Sequence, residues 1–238
     1  MPRVFLSLLL LLPLAALTEV APGLSALDQT SDQGADRVAG ALIATEATEA
    51  PVILVLGDSL SAAYGVPLDQ GWVSLLQARI NERDLPHRVL NAAISGETVA
   101  GGLSRLPALL AEHAPALVLI ELGANDGLRG FAPSQIEEDL VTLVEQAQAA
   151  EAQVVLIGVR LPPNYGPAYT ERFQRLFASV AERTGAALVP RLLADVAEDP
   201  RLMQADGLHP TVEAQPLLLE TVWETVRPVL APPLDAGH

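Results

Sequence analysis

Ser59 in Gly57-Asp58-Ser59-Leu60 and His209 in Asp206-Gly207-Leu208-His209 are the residues of this chain whose types and setting best suit chemistry. An unassisted serine hydroxyl is a poor nucleophile at neutral pH. An imidazole has to take its proton, and a carboxylate has to orient that imidazole. Ser59, His209 and Asp206 supply the three groups. The short spacing from Asp206 to His209 allows a tight turn to fold the carboxylate against Nδ1–H, leaving Nε2 free to face Ser59. Pro210 then suits the first turn of a closing helix, where its missing N–H costs little.

Composition removes the rival chemistries. The 238 residues include no Cys, which excludes a thiolate nucleophile, disulfides and thiolate metal sites. All 14 basic residues are Arg, so Schiff-base lysine chemistry and a phosphate-loop lysine are excluded as well. The four histidines, His87, His113, His209 and His238, form no H-x-x-x-H pair, and no metal site is expected. Asp and Glu number 29, for a formal charge of −15, which argues against nucleic acid and anionic bilayers as partners.

The elements that must position Ser59 and His209 follow from hydrophobic patterning. Short aliphatic runs at 52–56, 88–92, 117–122, 154–159 and 187–189 are bounded by Gly, Pro or polar residues, as buried parallel strands should be. Helical patterns fall between them at 72–82, 99–112, 133–150 and 169–184, with a last one at 212–226. This alternation predicts an α/β fold, a three-layer α/β/α sandwich around a five-stranded, mostly parallel sheet. Ligands bind such sheets beyond the carboxyl ends of the strands. Ser59 follows the first strand, Gly96 the second in Ser95-Gly96-Glu97, and Asn125 the third in Gly123-Ala124-Asn125-Asp126; Asp206 and His209 precede the last helix. Taken singly, each is read as well as a turn or a helix cap. Their ordered coincidence at strand ends carries the catalytic reading.

Four blocks in this order resemble the GDSL or SGNH hydrolase family: Gly57-Asp58-Ser59-Leu60-Ser61, Ile94-Ser95-Gly96-Glu97-Thr98, Gly123-Ala124-Asn125-Asp126 and Asp206-Gly207-Leu208-His209-Pro210. The stretches from Leu122 to Gly130 and from Arg160 to Gly166 look like its periplasmic thioesterase I/lysophospholipase/arylesterase branch. The resemblance implies a flavodoxin-like sheet, hydrolysis of acyl esters or thioesters through an acyl-enzyme, no cofactor, and an oxyanion hole made by the Ser59 N–H, the Gly96 N–H and the Asn125 amide. Glycine at 96 lets backbone approach a substrate closely, and an Asn amide is an uncharged donor. Leu128, Phe131 and Leu161 are expected to contribute to an acyl pocket. The alternative on the same fold is an acyltransferase or a carbohydrate-ester deacetylase.

Met1-Pro2-Arg3 precedes an apolar stretch at 4–17 that fits a signal-peptide core and is short for a bilayer span. The chain is therefore expected to comprise a signal peptide at 1–26, an acidic flexible linker at 27–50 and the hydrolase domain at 51–238. A monomeric periplasmic or secreted enzyme, without membrane insertion after signal cleavage and acting on small acyl esters or thioesters, is the corresponding expectation.

Overall fold

A computed structural model of the chain describes residues 50–230. The expected signal peptide and linker at 1–49, and the tail at 231–238, lie outside the described residues. Five strands form one fully parallel sheet: β1 (Val52–Gly57), β2 (Arg88–Asn91), β3 (Leu117–Glu121), β4 (Gln153–Ile157) and β5 (Ala187–Val189), in the spatial order β2-β1-β3-β4-β5. Every residue of β1 and β3 is buried, because helices cover both faces. On one face α1 (Trp72–Glu82) packs against α6 (Gln215–Leu230). On the other, α2 (Val99–His113), α4 (Pro133–Ala149) and α5 (Pro167–Thr184) lie side by side.

From β1 the chain moves outward to β2, then returns to the other side of β1 to lay down β3, β4 and β5. The order therefore reverses between β1 and β3, and a crevice opens at their carboxyl ends. Ser59 stands two residues beyond β1 and Asn125 four residues beyond β3, so both flank that crevice.

Two local differences from the sequence expectation bear on the site. Residues expected as a loop after β3 form a one-turn helix, α3 (Ala124–Leu128), entered through Gly123 at φ +112°. Five residues are too few to show a helical period, and this turn is held by its neighbours. Asp126 accepts from the Val99 N–H at 3.1 Å and so ties α3 to the start of α2. The closing helix begins as a 3-10 turn, Val212–Ala214, before α6.

Candidate active site

β1 ends in a turn whose geometry is set by Asp58. Its Oδ1 accepts from the Leu60 N–H at 3.0 Å, and its carbonyl accepts from the Ala62 N–H at 2.9 Å, so the chain curls immediately and lifts Ser59 toward the crevice. Gly57 is needed for this close turn. A Cβ there would lie 2.7 Å from Ser61 Oγ and 3.1 Å from a Glu121 carboxyl oxygen.

The second segment is self-oriented. Asp206 Oδ1 accepts from the Leu208 and His209 N–H groups at 2.9 and 3.1 Å, while Oδ2 lies 2.7 Å from His209 Nδ1. A carboxylate only accepts, so Nδ1 carries the proton and Nε2 is left as an acceptor. Nε2 stands 2.8 Å from Ser59 Oγ. The two segments are also joined by Gln204, whose Nε2 donates to the Tyr64 and Pro210 carbonyls, both at 2.9 Å, and the Tyr64 ring covers His209 with centroids 4.4 Å apart.

Burial tends to raise the Asp206 carboxyl, but the His209 ring and the two N–H donors outweigh it and hold it at about 2. It therefore stays ionised across the whole working range of a hydrolase. Asp58 moves the other way. Desolvation at 1% exposure pushes it up to about 6, against the opposing pull of the Leu60 N–H, Glu121, His209 and Asn125. Beneath it, fully buried Glu121 is driven well above the usual carboxylate range by desolvation and by the neighbouring Asp58 charge.

A stability consequence follows from Asp58. Because its folded pKa lies above the unfolded value of 3.8, the folded chain binds more protons between about pH 4 and 6, so its contribution is fully present below pH 3.8 and is lost as pH rises through 6. Asp58→Asn should flatten the dependence of Tm on pH across this window relative to the parent. Thermal unfolding scans at pH 4, 5, 6 and 7 would measure it, and parallel curves for the two proteins would refute it.

A cavity of about 380 Å³ opens over these residues. Ser59, Gly96, Asn125 and His209 all line it, and the rest of its wall is largely apolar, including Leu60, Leu128, Val159, Pro162, Leu193 and Leu208. Gly96, at φ +83°, has nothing within 4 Å of where a Cβ would stand, so the positive φ rather than crowding explains the glycine. Leu128 lines the cavity. Leu161 instead packs into the core at 5% exposure, against Gly127, and Phe131 is 46% exposed and does not line the cavity. Arg129 donates to the Gly96 carbonyl at 3.1 Å, and Arg105 donates to the Ala92 carbonyl and to Glu97, both at 2.6 Å. The loop carrying Gly96 is thus held by two guanidinium groups. Glu121 and Gln204 lie outside the four sequence blocks; for Glu121 the available signal is a carboxylate ending the otherwise aliphatic β3.

A hydroxyl bonded to an imidazole that is itself held by a carboxylate, at the switch point of a parallel sheet, defines a serine hydrolase. The profile of the GDSL-like Lipase/Acylhydrolase family matches residues 55–216, and the chain belongs to that family. It is 53% identical over 189 residues to "Esterase TesA" of Pseudomonas aeruginosa, a match covering 79% of this chain and 94% of that protein. It is 40% identical over 189 residues to "Thioesterase 1/protease 1/lysophospholipase L1" of Escherichia coli K12, covering 79% and 89%. The crystal structure of the psychrotrophic esterase EstA from Pseudoalteromonas sp., inhibited by monoethylphosphonate, superposes with a TM-score of 0.72 at 45% identity, covering 75% of this chain and 98% of that one. The protein is an ester-bond hydrolase of the α/β class.

Proposed function

We propose that this hydrolase cleaves acyl esters and thioesters of small or lipid alcohols and thiols through an acyl-enzyme on Ser59. The unbroken hydrogen-bonded line from Asp206 through His209 to Ser59, at 2.7 and 2.8 Å and opening into an apolar cavity, is the observation that carries this reading. Ser59 Oγ attacks the acyl carbonyl as its proton passes to His209 Nε2, and Asp206 stabilises the imidazolium. The carbonyl oxygen takes up the negative charge and is met by the Ser59 N–H, the Gly96 N–H and the Asn125 amide. Collapse expels the alcohol or thiol, which leaves with the proton from His209. Water then repeats the sequence, with His209 as base, and releases the acid and free Ser59.

The wall of Leu60, Leu128, Val159, Pro162, Leu193 and Leu208 suits an acyl chain better than an acetylated sugar, whose hydroxyls would find few partners there. Hydrolysis should therefore rise from acetyl to medium-chain nitrophenyl esters, in steps of up to about 0.8 kcal/mol per buried CH₂. A chain-length series, run beside acyl-CoA and lysophospholipid, measures this. Fastest turnover on acetyl esters or acetylated sugars would favour the deacetylase alternative instead, and preference for an alcohol acceptor over water would favour the acyltransferase.

The substrate is met outside the cytoplasm on this reading, after removal of residues 1–26. Among the described residues no helix is long and apolar enough to cross a membrane. Mass spectrometry of protein from its native host should find an N-terminus at Leu27; an intact residue 1 in the membrane fraction would contradict export with cleavage.

A further inference from the structure

Asp58 lies inside the motif that delivers Ser59, yet the triad chemistry makes no use of its side chain. Buried carboxylates are costly unless their oxygens are fully engaged, so its partners indicate what it holds in place. Oδ1 takes the Leu60 N–H at 3.0 Å, and Oδ2 takes Asn125 Nδ2 at 3.0 Å. We propose that Asp58 is the positioning residue of the oxyanion hole: it fixes the Asn125 amide with Nδ2 toward the acyl carbonyl, while Glu121 and Ser61 hold Asp58 from beneath. This inference rests on the acyl-enzyme reading above and adds to it the device that sets the orientation of one donor.

An asparagine amide is nearly symmetric in shape, and its two ends have opposite effects on an oxyanion. Nδ2 donates, whereas Oδ1 would set a partial negative charge against a developing one. Shape alone therefore does not choose between the ends. Asp58 does. With Oδ2 accepting one of the two Nδ2 protons, the other is left free, and turning the amide over would bring Oδ1 against a carboxylate in a site that is 1% exposed.

The position of Asp58 is itself fixed by a second buried acid. Glu121 Oε2 accepts from Ser61 Oγ at 2.8 Å and from the Asp58 N–H at 3.3 Å, so the end of β3 grips the turn after β1. Glu121 Oε1 has no hydrogen-bond partner, so a full charge on this carboxyl would be left uncompensated. Two carboxyls in one dry space do not both ionise. A neutral Glu121 leaves a single negative charge there, on the carboxyl that contacts Asn125.

The test is a double-mutant cycle with Asn125, read as kcat and KM on one nitrophenyl ester. Asp58→Ala should lower kcat by about 10²-fold with KM little changed, because a donor to the oxyanion acts in the transition state. Asp58→Asn should lower it by about 10-fold. Its single amide oxygen has to serve two converging donors, the Leu60 N–H and Asn125 Nδ2, and one of them goes unmet. In an Asn125→Ala background Asp58→Asn, whose amide oxygen keeps the Leu60 N–H that shapes the Ser59 turn, should cost no more than about twofold further, since the Asn125 amide is already removed, while Asp58→Ala, which also releases that N–H, should cost less than it does in the parent. Losses as large in the Asn125→Ala background as in the parent would overturn the inference, showing that Asp58 acts on the fold or on His209 instead. If Asp58→Ala does not fold, the near-isosteric Asp58→Asn carries the same cycle. Failure of the underlying reading looks different: the parent protein itself would turn over no ester or thioester, and both proposals would fall together.

Discussion

Alanine at Ser59 or at His209 is expected to lower kcat by on the order of 10⁶, and the double variant is expected to be scarcely worse than either single one. The reason is that on the proposed mechanism the two side chains act as one unit. Without Oγ there is nothing for Nε2 to deprotonate, and without Nε2 the hydroxyl 2.8 Å away keeps its proton. The fold should tolerate both changes. Ser59 and His209 are only partly buried, and the turn around Asp58 and the loop around Asp206 are made by the two Asp carboxylates accepting from backbone N–H groups, all of which the alanine variants retain. Melting temperatures close to the parent, with turnover at the background rate, are the expected pair of readings. Losses that multiply in the double variant would show that Ser59 and His209 act separately.

Asn125→Ala is expected to cost on the order of 10²–10³ in kcat with KM comparatively unchanged, since on the proposed mechanism the amide meets charge that exists only in the transition state. Asn125→Asp is the sharper probe. It is nearly isosteric, but it exchanges a donor for an anion beside the developing oxyanion, and it also faces the Asp58 carboxylate across what was a 3.0 Å hydrogen bond. It should therefore be at least as damaging as alanine. A residue kept only for its turn would accept Asp readily, because both residues form Asx turns. Wild-type kcat for the Asp variant at an unchanged Tm would remove Asn125 from the oxyanion hole.

The strands were legible because a parallel sheet covered on both faces leaves a plain aliphatic trace: the runs at 52–56 and 117–122 coincide with β1 and β3 to within a residue. Periodicity alone did not carry the order of the sheet, since no pattern says that β3 returns beside β1; the flavodoxin-like resemblance implied it, and the observed order agrees. That return places Ser59 and Asn125 across one crevice. Helix α3 was missed because its single turn is stabilised from outside, through Gly123 and the bond from Val99 to Asp126. His209 could be paired with Asp206 on spacing alone, as both stand on one short loop. The roles of neighbours joined over long separations had no such trace. Glu121 stands inside an aliphatic run, where a buried carboxylate has to be satisfied, and Ser61 and the Asp58 N–H supply its partners. Phe131 and Leu161 illustrate the limit of nearness in sequence. Both adjoin motif loops, yet one side chain faces solvent and the other enters the core.

The claim that hydrolysis passes through a covalent intermediate on Ser59, activated by His209, is tested most directly by stoichiometric reaction with a fluorophosphonate followed by peptide mass spectrometry. Ser59 Oγ should displace fluoride, giving one adduct per chain on the peptide that contains Gly57-Asp58-Ser59, with activity falling in proportion to its formation and no adduct in His209→Ala over the same time. An enzyme that remains fully active when Ser59 is modified, or that is inactivated by an adduct elsewhere, would contradict the account.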